Sequence, residues 1–134
     1  YAVLRQHSML GKLMGGDDPR FDAYAFDMGL QRSAEAGGLL HHLFGVRTAG
    51  LFGQFTEAAL PWYLSGLLIG HEVRASELFS RTPRPAQVHL VGSDRLLTAY
   101  ARTLLALGIG VQRHPEHLAA SGMHALWQLR SRAQ

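Results

Sequence analysis

The 134 residues contain no cysteine. That excludes a disulfide scaffold, thiolate zinc sites and a cysteine nucleophile, and it agrees with a reducing compartment. Lysine is nearly absent as well: Lys12 stands alone beside twelve arginines. Charged residues make up only 17% of the chain against 47% hydrophobic ones, which excludes a disordered tail. No apolar run reaches the roughly 20 residues of a membrane helix. The best candidate, Leu60 to Ile69, is interrupted by Pro61, Ser65 and Gly66. Arg5 and His7 break the opening stretch, so it does not read as a secretory leader. The first residue is Tyr1, and a helical pattern is already running at Ala2. Either a start was processed away or, as favoured here, the sequence is a piece of a longer polypeptide.

The formal charge is +3, and the excess is uneven. Up to Leu67 there are five basic and six acidic residues; from Leu68 onward there are eight and four. Such an excess can meet an anion. The charges are scattered and form no run, so a solvated arginine-rich surface accounts for them. A nucleic-acid-binding helical domain is suggested only by this arginine count. Aromatics are not interleaved with the arginines, so neither nucleic acid nor membrane is an expected partner.

The length suits one domain with its own core, so residues 1–134 are read as a single domain. Its first part, 1–86, is mostly helical. Ala2 to Met14 carries apolar residues at helical spacing, weakened at Gly11. Gly15, Gly16, Asp17, Asp18 and Pro19 form a loop. Phe21 to Leu30 resumes the helical pattern, which Gly37 and Gly38 break or bend. Leu39, Leu40, Leu43 and Phe44 then give another apolar face. Thr56 to Phe79 is the clearest long helix, with Thr56 as N-cap, Glu57 in the first turn, and one stripe through Leu60, Leu64, Leu67 and Leu68. Pro83 and Pro85 end it.

From 87 to 134 the pattern changes to strand, helix, strand, helix. Gln87 to Val91 is a strand, and Gly92, Ser93 and Asp94 form a turn with N-cap chemistry. Arg95 to Leu107 is amphipathic and stops at Gly108. Ile109 to Arg113 is a second strand, and Glu116 to Arg130 a final helix after Pro115. Such a βαβα unit has parallel strands and a right-handed crossover. The whole is an α/β fold, helix-rich in its first part.

Several signatures of chemistry are missing. There is no Walker-type phosphate loop, no dinucleotide fingerprint and no Gly-x-Ser-x-Gly elbow. His114 and His117 are three apart, and His41 and His42 are adjacent. Neighbours on a helix point about 100° apart and chelate poorly, so no metal site is expected. The ten carboxylates read as turn or helix-surface groups, since a general base needs a partner and a pocket. The informative place is the strand-to-helix turn at Gly92 and Ser93. Unpaired amides and the positive helix end meet there, and α/β sheets build nucleotide sites at such turns.

Four blocks keep one order along the chain: Leu4-Arg-Gln-His-Ser-Met-Leu-Gly11, Leu43-Phe-Gly-Val-Arg-Thr48, Tyr63-Leu-Ser-Gly-Leu-Leu-Ile-Gly-His-Glu72, and Val88-His-Leu-Val-Gly-Ser93 with Tyr100-Ala-Arg102. In these words the sequence resembles the 2-dehydro-3-deoxygalactonokinases over nearly its whole length. The resemblance implies a two-lobed actin-like (ribonuclease H-like) ATPase fold. It also implies a cytoplasmic bacterial enzyme of galactonate breakdown. That enzyme moves the γ-phosphoryl group of ATP, with Mg²⁺, to the terminal hydroxyl of 2-dehydro-3-deoxy-D-galactonate. This chain would be the C-terminal lobe, ending in its βαβα unit.

Within that resemblance Gly92 and Ser93 match the glycine turn that approaches adenosine, with Ser93 in place of the usual second glycine. Arg47 joins them as a nucleotide-side candidate, because an arginine between apolar segments needs a partner. Ser65, Gly66 and Gly70 fall in family-like blocks, where packing is the first role for small residues. The phosphate hairpin, the sugar site and the aspartate base would lie upstream of Tyr1, so no catalytic residue is assigned here and the piece alone would be inactive. The partners expected are the sugar acid, ATP and the N-terminal lobe of the same polypeptide, with homo-oligomerisation left open. Leu39 to Phe55 is the candidate face toward that lobe. The competing reading is a nonenzymatic sugar-acid- or partner-binding module derived from such a kinase.

Overall fold

The computed structural model describes residues 1–15, 20–76, 83 and 85–132. The chain divides into two compact units, Tyr1–Thr82 and Pro83–Gln134. Among the described residues no helix is long and apolar enough to cross a membrane.

The first unit is helical. Its elements are α1 (Ala2–His7), a 3-10 turn (Gly11–Leu13), α2 (Ala23–Arg32), α3 (Gly38–Leu51) and α4 (Leu60–Ala75). Asp22 starts α2: its carboxylate accepts from the Ala25 amide at 2.9 Å, supplying one of the helix's orphan donors with a partner. Phe26 and Ala25 are fully buried against α4. The two helices approach until backbone meets backbone. A Cβ at Gly29 would lie 2.0 Å from the Tyr63 carbonyl oxygen, and one at Gly66 would lie 2.0 Å from that of Phe26. Gly70 closes in the same way on the Ser33 hydroxyl. Packing is thus the role of Gly66 and Gly70, while Ser65 is half-buried beside them.

Three expectations for this unit need correction. The first helix stops at His7 rather than running to Met14. Ser8 is extended, and its hydroxyl turns back to donate to the Leu4 carbonyl. The long helix begins at Leu60, not Thr56. The Thr56 hydroxyl accepts from the Ala59 amide at 3.2 Å and caps the turn before the helix, while Pro61 occupies the first helical turn. Finally, α4 does not keep a single stripe. Ten of its residues are buried, on nearly every side, which makes it the central helix of the unit. Of the glycine-aspartate loop Gly15 alone is described, and the end assigned at Phe79 also lies outside the described residues.

On α3 the buried residues are His42, Val46 and Ala49, one stripe at helical spacing. The opposite side exposes large apolar groups: Leu40 at 77%, Phe44 at 75%, and Phe52 just beyond the helix at 78%.

The second unit runs β1 (Gln87–Val91), α5 (Asp94–Ala106), β2 (Gly110–His114) and α6 (His117–Arg132). The strands are parallel, with Gln87 opposite Gly110 and Val91 opposite His114. Leu97, Ala101 and Leu104 bury one side of α5. Gly108, at φ +78°, turns the chain, and the Ile109 amide reaches back to the Leu104 carbonyl at 2.9 Å. This closure keeps Ile109 in the core and moves the start of β2 one residue later than the pattern predicts. The final helix lies exposed along its described length, Met123, Leu126 and Trp127 included.

Candidate functional site

An open cleft of about 690 Å³ lies within the first unit, between α2, α3, α4 and the segment before α4. That size suits a small-molecule ligand. Its floor is aromatic. Tyr63, anchored on α4, stacks beside Phe55 with ring centroids 4.8 Å apart, and Phe55 in turn meets Tyr24 on α2 at 6.3 Å. Tyr24 is 70% exposed, so its ring face is open. One end of the cleft is ionic, where Arg32 and Glu35 pair across the last turn of α2. Burial pushes the Tyr63 hydroxyl up; Arg32 pulls it down, and Glu35 pushes it up again. Gln31, Gln54 and Thr48 add uncharged donors and acceptors. Aromatic faces with a few convergent polar groups can seat a ring-bearing polar ligand.

Arg47 lies half-buried on α3, at a second pocket of about 300 Å³ whose walls include Leu4, Met9, Leu40 and Phe44. No hydrogen bond or ion pair joins it to any described residue. Its guanidinium is therefore a donor fork available to an incoming acceptor.

In the second unit, Gly92 and Ser93 form the turn from β1 into α5. A Cβ at Gly92 would meet nothing within 4 Å, so the backbone there stands in open space. Ser93 is exposed at the N-cap, and its side chain makes no cap hydrogen bond. The first-turn amides therefore keep their capacity for another acceptor. Asp94 puts a carboxylate in the same turn. That charge opposes a phosphate and leaves an uncharged hydroxyl or ring as the better occupant. Arg47 belongs to one unit and this turn to the other, and each is described within its own unit.

The histidines pair in a way that sequence spacing did not reveal. His42 is bonded to His71 at 2.8 Å, and His89 to His114 at 2.7 Å. These partners are 29 and 25 residues apart, beyond any local motif. The cleft was also missed, because its walls come from four separated segments. The only local hint was aromatic, in Tyr24, Phe55 and Tyr63. Among the described residues no three His, Asp or Glu side chains converge as a metal site requires.

The sequence profile of the 2-keto-3-deoxy-galactonokinase family matches residues 1–126. A 2-dehydro-3-deoxygalactonokinase of Escherichia coli (strain K12) is 29% identical over 109 residues, covering 81% of this chain and 36% of that protein. The crystal structure of a Sinorhizobium meliloti protein assigned as a 2-dehydro-3-deoxygalactonokinase matches with a TM-score of 0.75 at 25% identity, over 94% of this chain and 44% of the other. The chain thus spans less than half the length of either relative. Since the profile covers all but its last eight residues, the chain belongs to the 2-keto-3-deoxy-galactonokinase family.

Proposed function

We propose that the full polypeptide phosphorylates 2-dehydro-3-deoxy-D-galactonate at its terminal hydroxyl, using ATP, and that this chain is the adenosine-side, C-terminal lobe of an actin-like kinase. The observation that carries the reading is the family match over residues 1–126. Both compact units belong to that lobe, and the reaction runs in the bacterial cytoplasm. The hydroxyl oxygen bonds to the γ-phosphorus, the bond to the bridging β–γ oxygen breaks, and ADP leaves. The hydroxyl proton passes to a base supplied by the rest of the polypeptide.

Phosphoryl transfer is mostly positioning and electrostatics, and the residues here serve positioning. Gly92 lets the nucleoside approach the backbone. The Ser93 hydroxyl and the α5 amides then offer hydrogen bonds to its uncharged part, which suits the nearby Asp94 carboxylate. Arg47 donates to an oxygen of the nucleotide. Mg²⁺ neutralises phosphate charge in such reactions. Among the described residues no three His, Asp or Glu side chains gather for it, and Mg²⁺ is commonly held by phosphate oxygens with one or two carboxylates. The remainder of the polypeptide also covers the apolar face of α3.

A coupled ADP-release assay tests this, with Mg-ATP and 2-dehydro-3-deoxy-D-galactonate, on the full polypeptide beside the 134-residue chain. Turnover by the long form and none by the short one is expected. Silence from both, with related sugar acids included, would replace the kinase by a binding module. Turnover by the short form would place the catalytic machinery inside this chain.

A further inference from the structure

His42 is wholly buried on α3 yet carries a titratable ring. Its Nε2 lies 3.2 Å from the Ala36 carbonyl, which can only accept, so Nε2 bears the hydrogen. In the neutral ring Nδ1 is then a bare lone pair. It faces Nε2 of His71 on α4 at 2.8 Å, and that nitrogen must donate. Two neutral rings, each in one tautomer, satisfy the whole chain from α4 through α3 to the turn before it. One proton added at His71 Nδ1 leaves its Nε2–H donating to His42, whereas one added at His42 Nδ1 would require His71 to reverse its tautomer and accept. Two added protons set N–H against N–H and break the contact.

The surroundings oppose that charge. Burial first, then His42, then Arg74 hold His71 below the usual imidazole range. The His41 ring, also on α3, is centred 5.6 Å from that of His42. From the α2 side, Glu35 in the turn is engaged with Arg32. Glu72 follows His71 on α4, about 100° further round the helix and exposed. Arg74 donates to the Ser33 hydroxyl at 3.3 Å.

The contact also has leverage. Within residues 38–45, the first half of α3, His42 is the one buried residue; Val46 and Ala49 anchor the second half. Gly37 and Gly38, at φ +128° and +68°, form the joint at its start. His41, Phe44 and Gly45 from this half wall the cleft.

We propose that the His42–His71 pair is an acid-sensitive latch: closed with both rings neutral, it holds the first half of α3 against α4 as a wall of the cleft, and protonation releases it. This does not depend on the phosphotransfer reading. The sign follows from the depressed His71. The open form binds protons more readily, so the latch is fully closed above about pH 6.5 and weakens as pH falls below that value.

The test is amide hydrogen exchange of the full polypeptide between pH 7.5 and pH 5, corrected for intrinsic exchange rates. Protection of residues 38–45 should fall by up to about tenfold per pH unit for each proton taken up, while α2 and α4 keep theirs. His71→Gln should flatten that response, because the amide has no proton to gain over this range and can keep a hydrogen bond to the His42 ring. His71→Leu should leave residues 38–45 unprotected already at pH 7.5. Unchanged protection of wild-type 38–45 down to pH 5, or the same acid response in His71→Gln as in wild type, would overturn the latch.

Discussion

The closest test of how this chain folds is a single methyl group at Gly66. On an exposed helix, Gly→Ala gains about 1 kcal/mol, because glycine surrenders more backbone freedom. At Gly66 the new Cβ would sit 2.0 Å from the Phe26 carbonyl oxygen and 3.1 Å from the Leu30 nitrogen. Ordinary contact begins at 3.4 Å, and neither obstacle is a side chain that can rotate away. Helices α2 and α4 must therefore part by more than about 1 Å, which forfeits about half of the dispersion along their seam or more. Overpacking of this kind costs about 3 kcal/mol. Net of the helical gain, the loss is about 2 kcal/mol, a fall in melting temperature of about 8–16 °C for a unit of this size. Gly45→Ala is the control. It too lies inside a helix, but its Cβ would meet nothing within 4 Å, so it should stabilise by up to about 1 kcal/mol. Thermal unfolding can be followed by the fluorescence of Trp62, which is 2% exposed, in a Trp127→Phe background. Equal melting temperatures for Gly66→Ala and Gly45→Ala would refute the close approach of α2 and α4.

Other substitutions probe separate links. Asp22→Ala should lower stability by about 1 kcal/mol through loss of the α2 cap, read from the urea midpoint. Phe26→Ala, at a fully buried site, should cost about 3–5 kcal/mol in the same measurement. Gly92→Val has room for its side chain, so the melting temperature should hold while the KM for ATP of the full polypeptide rises severalfold. An unchanged KM would remove Gly92 from the nucleotide contacts.

The parts of this fold legible in sequence are those written locally. Gln87–Val91 was readable to the residue, because Gly92-Ser93-Asp94 punctuates it and the α5 stripe follows at once. Gly108 marked its turn because left-handed backbone favours glycine. What failed depends partly on local side-chain bonds that compete with the helix and partly on distant contacts. The broken first helix turns on Ser8, a residue neutral in the pattern. Thr56, expected as the N-cap of the long helix, instead holds the preceding turn through the Ala59 amide, and the helix starts at Leu60 with Pro61 in its first turn. The all-round burial of α4 is invisible to a reading that searches for one apolar side. Gly66 and Gly70 stood in family-like words, yet only the path of α2 shows what they touch. The candidate site divides likewise. Gly92 and Ser93 announce a turn by themselves, whereas the cleft and the His42–His71 contact exist only once four segments have folded.

The seam between α2 and α4 has a mechanical consequence. Hydrostatic pressure unfolds proteins largely by eliminating their internal voids. Opposite Gly29 and Gly66 the space is taken up by carbonyl oxygens of the facing helix, with no methyl-sized gap beneath either residue. Compression gains almost nothing by parting these two helices. The α2–α4 pair should therefore be the incompressible spine of its unit, the last element to yield when kilobars replace heat or urea as the denaturant.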